Sequence, residues 1–199
     1  VEDVMNSRRV ADPLKVLDCS PVTDGACTLI LAAERQAKKL STSKKRVWMK
    51  GVGHCSDAFR LGDRDLADTR ALKRAAKRAY AMAGIDDPRK EICVAEVYDA
   101  FSYMEPLWLE GLGICDDGTA CEHLERGRFD FGGRLPVNPS GGRLCSHPVQ
   151  VAGLAAMAEC VLQLRGEAGK RQVKGAETAL VHGINGMCGQ SHCVWILGK

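Results

Sequence analysis

Residues 92–97 read Ile-Cys-Val-Ala-Glu-Val, an almost wholly apolar run that stops at Tyr98-Asp99. Forty residues on, Asn138-Pro139-Ser140-Gly141-Gly142 leads through Cys145-Ser146-His147-Pro148 into a long stretch of small apolar residues. A strand that apolar has to be covered on both faces, which belongs to a sheet layered with helices. Side chains at the carboxyl ends of such strands face the crevices where α/β proteins hold their ligands. The two junctions, strand into helix and loop into helix, therefore aim a phenol and an imidazole at one pocket. An active site is the reading.

Periodicity fills in the rest of the chain. Residues 26–33 form a continuous apolar run, read as a buried strand, and residues 46–52 read as another. Residues 68–83 put Leu72, Ala75, Ala76, Ala79 and Tyr80 on one face of a helix that Gly84 ends. Residues 91–97 are predicted to be the central strand. Residues 102–112 predict a helix with Pro106 near its first turn, where proline is tolerated. Residues 113–143 read as one long polar, Gly-rich loop, and a loop of that length is usually functional. Residues 148–164 predict a tightly packed small-residue helix. Strands over 177–184 and 191–197, joined by the Gly-rich turn 185–190, close the chain. This alternation implies an α/β layered fold in one domain, 1–199.

Composition bounds the function. A chain of 199 residues with 45% hydrophobic and 27% charged residues can bury a sizeable core. The net charge is only +3, and the basic run Lys38-Lys39 with Lys44-Lys45-Arg46 lacks interleaved aromatics, so it reads as a solvated face rather than a nucleic-acid surface. No apolar run approaches the ~18 residues of a membrane span, and a cytoplasmic protein is expected. The ten cysteines are scattered through strands and helices with no Cys-x-x-Cys pair, which fits reduced, buried thiols rather than a disulfide framework. Cys115, Cys121 and His123, and likewise Cys188, His192 and Cys193, lack zinc-site spacing, so no metal is assigned.

In order and wording these segments resemble the C-terminal half of thiolases, above all the sterol-carrier-protein-type and archaeal branches, and the related thiolase-like aldolases. Four matches fall in sequence: residues 20–26 (Ser-Pro-Val-Thr-Asp-Gly-Ala), residues 96–101, the Asn-Pro-Ser-Gly-Gly…His-Pro segment and the terminal Gly-rich turn. Together with the alternation of elements, the resemblance implies a mixed five-stranded sheet with helices on both faces. It also implies roles. Tyr98 stands where thiolases hold the His or Asn that binds the thioester or enolate oxygen, and where the aldolases carry a Tyr. On position alone Tyr98 is as well read as a ring packed over the sheet edge, and a lone histidine as structural. In this setting His147 matches the histidine that activates the nucleophilic cysteine and lines the oxyanion hole. Ser20 matches the serine that touches the pantetheine arm, and Ser140, Gly141 and Gly142 are assigned with it to coenzyme A. The second thiolase cysteine has no match: Asn185 occupies its place, Ala100 the alternative place, and Cys188 lies three residues later, within reach only if the turn folds differently.

The first thiolase half carries the nucleophilic cysteine, and this chain reads as lying inside the second half, as a fragment, a processed product or one piece of a split enzyme. Three functions follow. The leading one is an acyl-CoA C-acyltransferase acting on a 3-oxoacyl-CoA, bulky or aromatic, with coenzyme A as co-substrate and no permanently bound cofactor. The second is retro-aldol cleavage of a 3-hydroxyacyl-CoA on the same fold. The third is a non-catalytic partner subunit. The implied partners are an acyl-CoA, the N-terminal half, a second copy of the chain and a small zinc-ribbon/OB-fold protein.

Overall fold

The computed structural model describes residues 1–40 and 45–199; Lys44 of the basic run falls outside them. In chain order the elements are α1 (Glu2–Asn6), β1 (Arg9–Ala11), β2 (Leu14–Lys15), α2 (Glu34–Lys39), β3 (Trp48–Ser56), α3 (Arg70–Ala83), α4 (Pro88–Glu91) and β4 (Val94–Glu96). They continue with α5 (Met104–Gly111), α6 (Ala120–Glu125), α7 (Gly142–Cys145), α8 (Ala152–Arg165), β5 (Thr178–Asn185) and β6 (Ser191–Gly198).

The main sheet has four strands in the order β3-β6-β5-β4, and β1 and β2 form a separate hairpin. β6 pairs antiparallel with both β3 and β5, whereas β4 runs parallel to β5. The crossover from β4 to β5 therefore carries α5 through α8. Alternate strand residues serve two cores. Ala95, Leu180, Val194 and Ile196 pack with α3 and α5, while Val94, Ala179, Val181 and Leu197 pack with α8. The mixed sheet with helices on both faces is thus the architecture of the chain.

Three expectations are corrected. The sheet has four strands because residues 26–33 take no strand; Ile30 and Leu31 lie exposed, and an apolar run reports that a surface needs cover without saying what supplies it. β4 is an edge strand, not the central one. Its residues are nonetheless fully buried, because both faces are covered and the outer edge is closed by loop backbone: Ala95 N–H donates to Pro136 O at 3.1 Å and Asn138 N–H to Ala95 O at 2.8 Å. Burial on all sides gives an edge strand the composition of a central one. The stretch 113–143 is also not one loop, since α6 and α7 interrupt it.

α3 lies directly on the β3 backbone. A Cβ at Gly53 would stand 1.8 Å from Ala75 O, and one at Gly51 2.1 Å from Ala79 O. These contacts are to helix backbone, which cannot swing aside as a side chain can. Gly53→Ala is expected to lower unfolding free energy by about 2 kcal/mol or more, the scale of overpacking a core; urea titration checks this, and an unchanged midpoint would show that α3 slides freely.

Candidate active site

Three segments meet beyond the carboxyl end of β4. The strand delivers Tyr98, the loop before α8 delivers His147, and residues 19–23 lie across both: Ser20 N–H donates to Ala100 O at 2.9 Å and Thr23 N–H to His147 O at 3.2 Å. The result is a chain of side chains. Tyr98 Oη lies 3.0 Å from His147 Nε2, and Ser20 Oγ lies 3.1 Å from His147 Nδ1. The phenol and imidazole rings meet edge to face at 5.5 Å between centroids. A neutral imidazole has one donor and one acceptor nitrogen, so a proton arriving at one end of this chain can displace one at the other. Burial and Arg143 hold His147 below its ordinary pKa, and burial holds the Tyr98 phenol above its own. At neutral pH the pair is therefore uncharged.

What fixes the pair is a polar scaffold behind it. Asn138, in the left-handed region at φ +49°, accepts from Val97 N–H at 2.7 Å and donates through Nδ2 to Glu105 Oε2 at 2.9 Å. Ser140 donates to the buried Glu96 twice, from its N–H to Oε1 at 3.1 Å and from its hydroxyl to Oε2 at 2.7 Å. Asp99 Oδ1 accepts from Arg143 N–H at 2.5 Å at the head of α7. Gly142 is required there: its φ is +64° and a Cβ would lie 2.1 Å from Asp99 Oδ2. Arg143 reaches back to Glu96 at 3.6 Å and donates to Ala152 O at the start of α8. Burial pushes Glu96 up to about 7 despite Ser140 and Arg143, and burial, aided by the nearby Asp99 charge, pushes Glu105 to about 7.

The residues assigned from sequence therefore divide. Tyr98, His147 and Ser20 come together. Of the three, Tyr98 lines a cavity of about 410 Å³ that Asn185 also lines, with Val149, Ala152, Gly153 and Gly183. Cys188 does not: it sits exposed at φ +49° in the turn after β5, its carbonyl held by Arg64 Nη1 at 3.4 Å, and it does not line that cavity. Ser140 spends its hydroxyl on Glu96, Gly142 packs on Asp99, and Gly141 lines a separate groove with Glu105 and Phe131. Ser20's hydroxyl faces His147. The second row of Glu96, Asp99, Glu105 and Arg143 went unread in the sequence, although their place inside the two motifs was a signal. His182 and His192, 3.0 Å apart and packed against Trp108, form a buried pair on the α3 side of the sheet. Among the described residues no group of three His, Cys, Asp or Glu is placed to hold a metal, and no helix is long and apolar enough to cross a membrane.

The family model described as thiolase C-terminal domain-like matches residues 53–199. This chain belongs to the thiolase C-terminal domain family. An acetyl-CoA acetyltransferase of Methanothermobacter thermautotrophicus is 42% identical over 95% of the chain and 49% of its own length. Sterol carrier protein 2 of Oryctolagus cuniculus is 39% identical over 92% of the chain and 34% of its own length. This thiolase C-terminal domain thus spans half or less of the length of these relatives. Among solved structures, the Ltp2-ChsH2(DUF35) aldolase superposes with a TM-score of 0.84 at 25% identity, over 100% of this chain and 50% of that one. The order of motifs in this domain and its fold agree with the resemblance.

Proposed function

We propose that the chain is the C-terminal half of an enzyme that cleaves a carbon–carbon bond next to a coenzyme A thioester by retro-aldol chemistry. The observation that carries the reading is the Ser20–His147–Tyr98 hydrogen-bond chain, which ends on a phenol lining a cavity. In a 3-hydroxyacyl-CoA, the Tyr98 oxygen accepts the 3-hydroxyl proton while its own proton passes to His147 Nε2, whose Nδ1–H donates to Ser20. The C2–C3 bond breaks, the carbonyl product departs, and the electron pair remains on the thioester enolate. Reversing the relay returns the proton to C2. Positioned acid–base groups of this kind contribute ~10²–10⁴ in rate.

A second reading is acyl transfer to coenzyme A, supported by the 42% identity to an acetyl-CoA acetyltransferase. There Tyr98 would move the α-proton, and a cysteine from an N-terminal half would carry the acyl group. Both readings place an N-terminal half over the open side of the cavity, and the exposed Val22, Val149 and Leu154 are apolar surface suited to it. The aldolase likeness, named for a pairing with a DUF35 protein, supports a partner of that kind.

The chain alone is expected to be inert. The intact protein that carries it should cleave a 3-hydroxyacyl-CoA without free coenzyme A and after cysteine alkylation. Cleavage of a 3-oxoacyl-CoA that requires coenzyme A and is lost on alkylation would establish acyl transfer instead. Inactivity toward both would leave a binding subunit.

A further inference from the structure

We propose that Glu96 is a positioning residue for Tyr98 and His147, its carboxyl joining the His147 loop to the Tyr98 strand. The inference rests on the reading of Tyr98 and His147 as the reacting pair. Glu96 stands two residues before Tyr98, with its side chain fully buried between strand and loop. Every contact it makes crosses that join. Ser140 gives it both its N–H and its hydroxyl, and the same hydroxyl accepts from Gly142 N–H at 3.2 Å. Arg143, four residues before His147, approaches at 3.6 Å while its other end grips Ala152 O. One carboxylate thus ties β4, the Ser140–Gly142 turn, α7 and the head of α8.

The donor set distinguishes the two forms. Ser140 N–H and Ser140 O–H donate to the carboxyl and Arg143 faces it as a cation, and an ionised carboxylate is acceptor only, so it answers all three. A protonated carboxyl must donate from one oxygen. The nearest acceptor is Ser140 Oγ, whose second lone pair is open beside Gly142 N–H, so that bond reverses direction, the Ser140 hydroxyl proton turns away and Arg143 loses the charge it faces. Facing Glu96 from the other side are Glu159 and Cys160 of α8, with Arg171 beyond, bound to Glu159 at 2.9 Å. Burial first, and Glu159 after it, disfavour the charge on Glu96, whereas Ser140 and Arg143 favour it. The balance brings the change of form near neutral pH.

The test uses the intact protein labelled with ¹³C-tyrosine, the Tyr98 signal being assigned by Tyr98→Phe. Titrated from pH 5 to 8.5, the Tyr98 ring resonance should move with a midpoint near 7, as set by Glu96, apart from the His147 step below its ordinary value. Glu96→Gln, of nearly the same shape but never charged, should lose the midpoint near 7 and keep the His147 step. Its kcat should fall roughly tenfold to a hundredfold, the cost of a small misplacement, with KM little changed. If Glu96→Gln leaves the titration intact, or if Glu105→Gln removes the step instead, the assignment is overturned. Should Glu96→Gln fail to fold, Ser140→Ala decides: removing a donor to the charged form must raise the midpoint, and an unmoved midpoint refutes the role. Unchanged turnover in Tyr98→Phe would sink the proposed chemistry while leaving the titration result standing.

Discussion

Replacing His147 with Ala is expected to lower kcat of the intact enzyme by about 10³-fold, and Tyr98→Phe by about 10²-fold, with KM within a few-fold in both. The order follows from the hydrogen-bond chain. Phe removes only the hydroxyl that faces Nε2 and leaves the imidazole tied to Ser20, whereas Ala removes the proton acceptor and also frees both Ser20 and Tyr98. His147→Gln should recover part of the loss by binding one neighbour. Since burial keeps His147 below its usual pKa, protonation that blocks the relay should appear as an acid limb in kcat/KM below pH 6.5. If the double variant Tyr98→Phe/His147→Ala loses the product of the two single effects, the residues act independently, and a shared relay is excluded.

Raising the pH from 5 to 8 is expected to weaken the fold. Glu96 and Glu105 are each pushed to about 7 from an ordinary 4.5, chiefly by burial. Near pH 4 both are protonated folded and unfolded. As pH climbs through 4.5 the unfolded chain releases these protons while the folded protein keeps them to about 7, so stability drains away over that window and levels off above it. At ~1.4 kcal/mol per tenfold in proton affinity, each group costs about 3 kcal/mol by pH 8. Glu105→Gln should flatten one share of that slope, because Asn138 Nδ2, from which Glu105 accepts, is a donor that an amide oxygen still satisfies. Urea unfolding at four pH values measures it; a stability that rises over this window would mean that both carboxylates are ionised and fully paired in the folded state.

Much of the fold was legible because periodicity is a statement about burial. The 68–83 pattern became α3 on the alanine face named from sequence, and the last two strands fell within a residue of their expected ends. The errors share one cause. A sequence records that a segment is apolar, not which neighbour covers it, so β4 was placed at the centre and 26–33 inside the sheet. At the site, the meeting of Tyr98 and His147 was legible from the two junctions that carry them. Ser140 and Gly142 were legible as important, but their partners Glu96 and Asp99 lie over forty residues earlier in the chain, and only the folded backbone shows which side chain a glycine must make room for. Cys188 was given a place at the pocket only if its turn folds differently, and the residue that grips that turn, Arg64, lies 124 residues away.

The loop backbone that seals the outer edge of β4 leaves its own side chains outside the ladder. Phe131 is exposed there, and Pro136 meets β4 through its backbone O, while Asn138 holds the strand end both by its backbone N–H and by Oδ1, which accepts from Val97 N–H. Phe131 and Arg134 can therefore be exchanged without moving the β5–β6 register that sets the other wall of the Tyr98 cavity, whereas Phe129 and Leu135 belong to the core. Variation finds room in such a place, because a loop's exposed side chains can be rewritten with no demand on the sheet they border.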